Sequence, residues 1–92
     1  MEMILFKYPG CPYCRNAEKA IEELVAEHPE YGEIEIRRVD ETAEADVAAK
    51  YDYYYTPCFF MDGTKLYEAR PFDTYNKMKS KIEAMFRSVL EK

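Results

Sequence analysis

An α/β fold with a four-stranded mixed sheet flanked by three helices is predicted, and three observations carry the prediction. Short apolar runs alternate with amphipathic stretches in the order β-α-β-α-β-β-α. A strand, a helix and a second strand in succession imply a parallel pair. Later, Asp62-Gly63 stands between two strand-like runs, a hairpin signal that implies an antiparallel pair. Helices covering both faces of such a sheet complete the architecture.

The first strand is read at residues 3–7, where Met3-Ile4-Leu5-Phe6 is apolar enough to be buried on both faces. Tyr8-Pro9-Gly10 breaks it. A helix follows from about residue 12 to residue 27, with Ala17, Ala20, Ile21, Leu24 and Val25 on one face. Pro12 suits its first position, where no N–H is needed. Pro29 and Gly32 mark a loop, and Ile34, Ile36 and Val39 indicate a second strand. Asp40 or Thr42 is the expected cap of a short second helix reaching about Tyr51, and Asp52 ends it, since Asp tolerates the left-handed conformation. Residues 58–61 and 65–68 form the hairpin. The last helix runs from about residue 74 to 90, with Tyr75, Met78, Ile82, Met85, Phe86 and Val89 as its core stripe.

The 92 residues suffice for one domain, residues 1–92, with one core, and the 48% hydrophobic content is ordinary for a globular chain. Apolar runs fall far short of a membrane span, and the N-terminus lacks the pattern of a secretory signal. A soluble, cytoplasmic monomer is therefore expected. The net charge of −5 argues against a nucleic-acid surface, which needs a basic stripe. Acidic residues in 18–35 and 40–46 read as a solvated helix face and its loops, with a docking surface for a basic partner as the alternative.

Cys11-Pro12-Tyr13-Cys14 is where chemistry concentrates. Two cysteines three apart at a strand-to-helix junction suit reversible thiol–disulfide exchange. A helix start presents unpaired N–H groups and partial positive charge, and both favour a thiolate at Cys11. Cys14 lies three before Ala17 and seven before Ile21, on the buried face. Spacing thus predicts an exposed attacking Cys11 and a sheltered Cys14. One cysteine pair with a third left over fits a reducing compartment.

The element order, with this motif after the first strand and Thr56-Pro57 before the third, resembles the thioredoxin superfamily over nearly the whole chain. Phe6 to Cys14, read FKYPGCPYC, looks like the active-site segment of dithiol glutaredoxins, and Lys50-Tyr51 before Thr56-Pro57 resembles the thioredoxin stretch that leads into its cis-proline. The resemblance implies a cis bond at Pro57, packed against the cysteine pair, with the Thr56 backbone pairing to substrate. It also implies an enzyme: a glutaredoxin- or thioredoxin-like disulfide oxidoreductase in cell redox homeostasis. Cys11 is the nucleophile and Cys14 the resolving thiol. Substrate would meet Pro12, Tyr13, Tyr55, Thr56, Pro57 and Arg70. Its partners would be disulfide-containing proteins, and no cofactor stays bound.

Departures from the glutaredoxin pattern bear on the electron donor. Tyr8 stands where many glutaredoxins carry a cation, with Lys7 one place earlier. No glycine pair follows the fourth strand; Glu68 would repel the carboxylate end of glutathione, while Arg70 offsets it and Asp73 caps the last helix. Residues 69–73, ARPFD, are also similar to redoxins that serve ribonucleotide reductase and draw electrons from thioredoxin reductase. Glutathione and thioredoxin reductase therefore compete as donor.

Several residues admit more than one reading. Lys7 and Arg15 either add positive charge near Cys11 or are solvated cations. Cys58 is a core cysteine, a regulatory third thiol or a metal ligand. Tyr51, Tyr53, Tyr54 and Tyr55 divide between packing and the rim of the site. An iron–sulfur or metal-binding module using the same cysteines is the alternative to the enzyme. A Cys₃His zinc site fails on geometry: His28, fourteen residues past Cys14 along a helix, lies roughly 20 Å away. His28 is expected at the surface near the helix end, and no metal site is assigned.

Overall fold

The computed structural model describes residues 2–91. Four strands, β1 (Glu2–Lys7), β2 (Glu35–Asp40), β3 (Cys58–Met61) and β4 (Thr64–Glu68), form one sheet in the order β2-β1-β3-β4. β1 pairs parallel to β2 and antiparallel to β3, and β3 and β4 form the hairpin. Asp62 and Gly63 take positive φ of 52° and 81°, as a two-residue turn of primed type requires. Among the described residues, no helix is long and apolar enough to cross a membrane.

Period-two alternation in β1 divides the core in two. Met3 and Leu5 join Phe59 and Tyr67 on one face, under α1 (Pro12–Glu27) and α3 (Tyr75–Leu90). Phe6 joins Val39, Cys58 and Phe60 on the other face, against Val47 and Ala48 of α2 (Ala45–Ala48). β1 is thus covered on both sides, as its apolar run predicts. Each fully buried Phe contributes about 1.5–3 kcal/mol through removal from water. Glu18 of α1 clasps both parallel strands from the side: its carboxylate accepts from Lys7 Nζ of β1 at 2.8 Å and from Arg38 Nε and Nη2 of β2, each at 2.8 Å.

Local departures from expectation have identifiable causes. Residues 29–33 form a 3-10 turn, Pro29–Glu33, instead of an open loop, because Tyr31 is buried and its N–H reaches the His28 carbonyl at 2.9 Å. His28 itself caps α1, half exposed, with Nε2 3.4 Å from Glu83. The second helix is shorter than expected and neither Asp40 nor Thr42 caps it. The Asp40 carboxylate is already taken by the Thr42 N–H at 2.9 Å and hydroxyl at 2.6 Å, which closes a turn and delays the helix to Ala45. That helix ends at Ala48, and Asp52 is not left-handed; Asp62 and Phe72 are the non-glycine residues with positive φ among the described residues. Thr74, not Asp73, caps α3, with its hydroxyl accepting the Lys77 N–H at 3.2 Å.

Candidate active site

β1 ends at Lys7, and the chain must turn at once to enter α1. Gly10 makes that turn with φ of 84°. The Cys11 N–H closes it on the Tyr8 carbonyl at 3.3 Å. Cys11 is then the N-cap of α1: its backbone is extended (φ −75°, ψ 113°) and its sulfur accepts the Cys14 N–H at 3.1 Å. A sulfur here takes the place of the usual capping oxygen. Pro12 opens the helix, as expected.

The expected exposure of Cys11 is not found. Cys11 is 2% exposed and Cys14 3%. The cause lies in segments distant in sequence. The Thr56-Pro57 bond is cis, and Thr56 comes over Cys11 with its hydroxyl 3.6 Å and its carbonyl 3.9 Å from Sγ. Cys11 therefore lies on the floor of a groove of about 310 Å³, walled by Tyr8, Tyr13, Glu41, Tyr55, Thr56 and Arg70. Cys14 sits behind it. Burial first, and then a thiol bond to the Cys11 sulfur, push the Cys14 thiol up to about 12. Charge on an ionised Cys11 sulfur beside it is the main cause that raises the Tyr8 phenol, with desolvation and a hydrogen bond to that sulfur adding to it.

Tyr13 reaches across the groove, and its hydroxyl accepts the Phe72 N–H at 3.0 Å. That bond helps hold Phe72 at φ 72°, where its ring is 91% exposed on the rim. Beneath this turn, Asp73 is buried and accepts the Tyr67 hydroxyl at 2.9 Å and the Arg70 N–H at 3.1 Å. Asp73 is thus a brace for the rim, not a helix cap. Arg70 is exposed and has no acidic partner among the described residues.

The tyrosine cluster divides. Tyr51 and Tyr53 pack on Phe6, each with ring centroids 4.9 Å apart, while Tyr54, 86% exposed, and Tyr55 border the groove. Glu68 is not among the residues that wall the groove. It accepts the Tyr54 and Tyr55 N–H groups and pairs with Lys65 at 3.1 Å. Although burial works the other way, those bonds hold its carboxyl below the ordinary range. Lys7 borders the cysteines, but its ammonium is committed to Glu18 at 2.8 Å, so it offers Cys11 no free cation. Arg15 is exposed beside both cysteines. Cys58 is fully buried in β3 opposite Phe6, and burial pushes its thiol up to about 12. Among the described residues, no three His, Cys, Asp or Glu side chains are placed to hold a metal ion.

Two groove residues escaped the sequence reading. Glu41 follows β2, and its carboxylate is oriented by the Tyr53 hydroxyl. Tyr54 was grouped with its neighbours without being set apart. The signal for Glu41 was its position: ligand sites in such sheets gather beyond the carboxyl ends of the parallel strands.

Comparison with known proteins agrees with this fold. The family model described as a thioredoxin domain matches residues 2–69. Among solved structures, the chain is similar to Fasciola hepatica thioredoxin, at 30% identity and a TM-score of 0.58, covering 94% of this chain and 78% of that one. It is also similar in fold to thioredoxin 1 of the thermophilic eubacterium Thermosipho africanus, at 15% identity and a TM-score of 0.61 over 100% of both chains. A malarial protein aligns at 20% identity and a TM-score of 0.60, covering 91% of this chain and 94% of its own. No curated protein matches.

Proposed function

The chain belongs to the thioredoxin domain family, and from that footing we propose that it is a dithiol–disulfide oxidoreductase acting on protein disulfides. The observation that carries the assignment of roles is the asymmetry of the two thiols. The Cys11 sulfur caps the helix and lines the groove under Thr56, whereas Cys14 does not line that groove and its thiol is held protonated to about 12. In the proposed cycle, the Cys11 thiolate attacks a substrate disulfide and forms a mixed disulfide. One substrate sulfur leaves as a thiolate and takes the Cys14 proton. The Cys14 sulfur then attacks Cys11 and expels the second substrate thiolate. Two electrons have passed from the cysteine pair to the substrate, and a donor must return two electrons and one proton to restore the Cys11 thiolate and the Cys14 thiol.

The donor we propose is a flavoprotein thioredoxin reductase. Tyr8 stands where many glutaredoxins carry a cation, Glu41 adds a carboxylate to the groove wall, and no glycine pair follows β4. Arg70 supports a second reading, in which the protein is glutaredoxin-like and glutathione is the donor, because that guanidinium has no acidic partner among the described residues. Reduction of a protein disulfide, driven by NADPH through either thioredoxin reductase or glutathione with its reductase, separates the two. Faster turnover with thioredoxin reductase is expected, and the reverse moves the assignment to glutathione. Cys11→Ser should abolish turnover with both; persistent turnover would overturn the oxidoreductase reading itself.

A further inference from the structure

The groove over Cys11 is electrically lopsided. Glu41 stands just past the end of β2, and Arg70 stands just past β4 and its neighbour Ala69, whose N–H meets the Pro57 carbonyl at 3.0 Å. β2 and β4 are the two outer strands of the sheet, while Cys11 follows the central strand β1 and Thr56 precedes β3. The topology therefore sets the carboxylate on one flank of Cys11 and the guanidinium on the other. Three inter-strand spacings of about 4.8 Å separate the flanks by roughly 14 Å. An extended chain advances about 3.3–3.4 Å per residue, so that span is about four residues. Side chains two before and two after a central cysteine also point to the same side as the cysteine. Both charges are available. Glu41 is oriented by Tyr53 and has no cationic partner, and Arg70 has no anionic one, among the described residues.

We propose that Glu41 and Arg70 are specificity-determining residues that select disulfide-bearing polypeptide segments of one charge polarity: a basic side chain toward Glu41 and an acidic one toward Arg70, two residues either side of the attacked cysteine. This rests on the oxidoreductase reading and adds the substrate class to it. The exchange chemistry is unchanged; the charges decide which segment lies down productively, and in which direction. Charge complementarity of this kind acts through encounter and register, and salt screens it.

The test uses two synthetic peptides, Gly-Lys-Ala-Cys-Ala-Glu-Gly and Gly-Glu-Ala-Cys-Ala-Lys-Gly, each as its mixed disulfide with 2-nitro-5-thiobenzoate. Their composition and leaving group are identical, and release of the coloured thiol reports attack by Cys11. The wild-type protein should prefer one order by about three- to tenfold at low salt, from two partly exposed charge pairs. The preference should collapse toward unity at high salt, reverse in the double variant E41K/R70E and vanish in E41Q/R70Q. Equal rates for the two orders, or a preference that survives high salt or the neutral variant, overturn the inference while leaving the oxidoreductase reading intact. Release from neither peptide overturns that reading, and the inference with it.

Discussion

Glu18 shows how much one side chain can settle. It takes three hydrogen bonds from Lys7 and Arg38, and so joins α1 to β1 and β2 at the end of the sheet that carries the cysteines. The Arg38 bonds are the main cause that holds its carboxyl below the ordinary range, against partial burial and with help from Lys7. A carboxyl depressed by folding stabilises the protein above its unfolded value, near 4.3, and that stabilisation is lost as pH falls through the lower folded value. Glu18→Gln should therefore cost about 1 kcal/mol at neutral pH, given its partly exposed partners. The difference from wild type should narrow in acid, as pH falls through the lowered folded value and the Glu18 carboxyl takes up its proton. Urea unfolding at neutral and acid pH checks this; a gap that persists in acid would contradict the ion-pair account. The sequence leaves Lys7 as either a cation near Cys11 or a solvated one, and the structure shows it paired with Glu18. No sequence rule could place Glu18 and Arg38 around it, because both come from other elements.

At the scale of elements, the segments with strong local chemistry were legible and those with competing chemistry were not. Cys11-Pro12 marked the start of α1, and Asp62-Gly63 marked the hairpin, because each residue there has one favourable role. Asp40, Thr42, Asp73 and Thr74 each had two. Asp40 was drawn into a turn by Thr42, and Asp73 was drawn under the rim by Tyr67 and Arg70, which left the cap of α3 to Thr74. This division predicts an order of effects. Thr74→Ala should cost about 1 kcal/mol as a lost cap. Asp73→Ala should cost about 2–3 kcal/mol, because it leaves the buried Tyr67 hydroxyl and the Arg70 N–H without their acceptor. Denaturant midpoints measure both, and a larger loss for Thr74→Ala would show that Asp73 does not brace the turn.

Over the whole molecule, the order of elements along the chain and the parallel and antiparallel pairs were readable from the sequence, and the resemblance implied the meeting of Cys11 with Thr56-Pro57. The depth of Cys11 was not. Its cover comes from residues 45 positions away and from the loop after β4, and only the folded sheet brings them together. The two cores differ in what they hide: α1 and α3 seal Met3, Leu5 and Phe59, while α2 and two tyrosines seal Phe6, Phe60 and Cys58. Cys58, fully buried with its thiol pushed up to about 12, should react with a neutral alkylating reagent only when the sheet opens. Its labelling rate should rise with urea in step with global unfolding, and fast labelling in native buffer would place it within reach of solvent. The central claim concerns the other two thiols and is tested most directly by trapping. Cys14→Ser, mixed with a disulfide-bonded protein and digested for mass spectrometry, should accumulate a mixed disulfide through Cys11 alone, because the second attack has been removed. A mixed disulfide through Cys58, or none at all, would contradict the account.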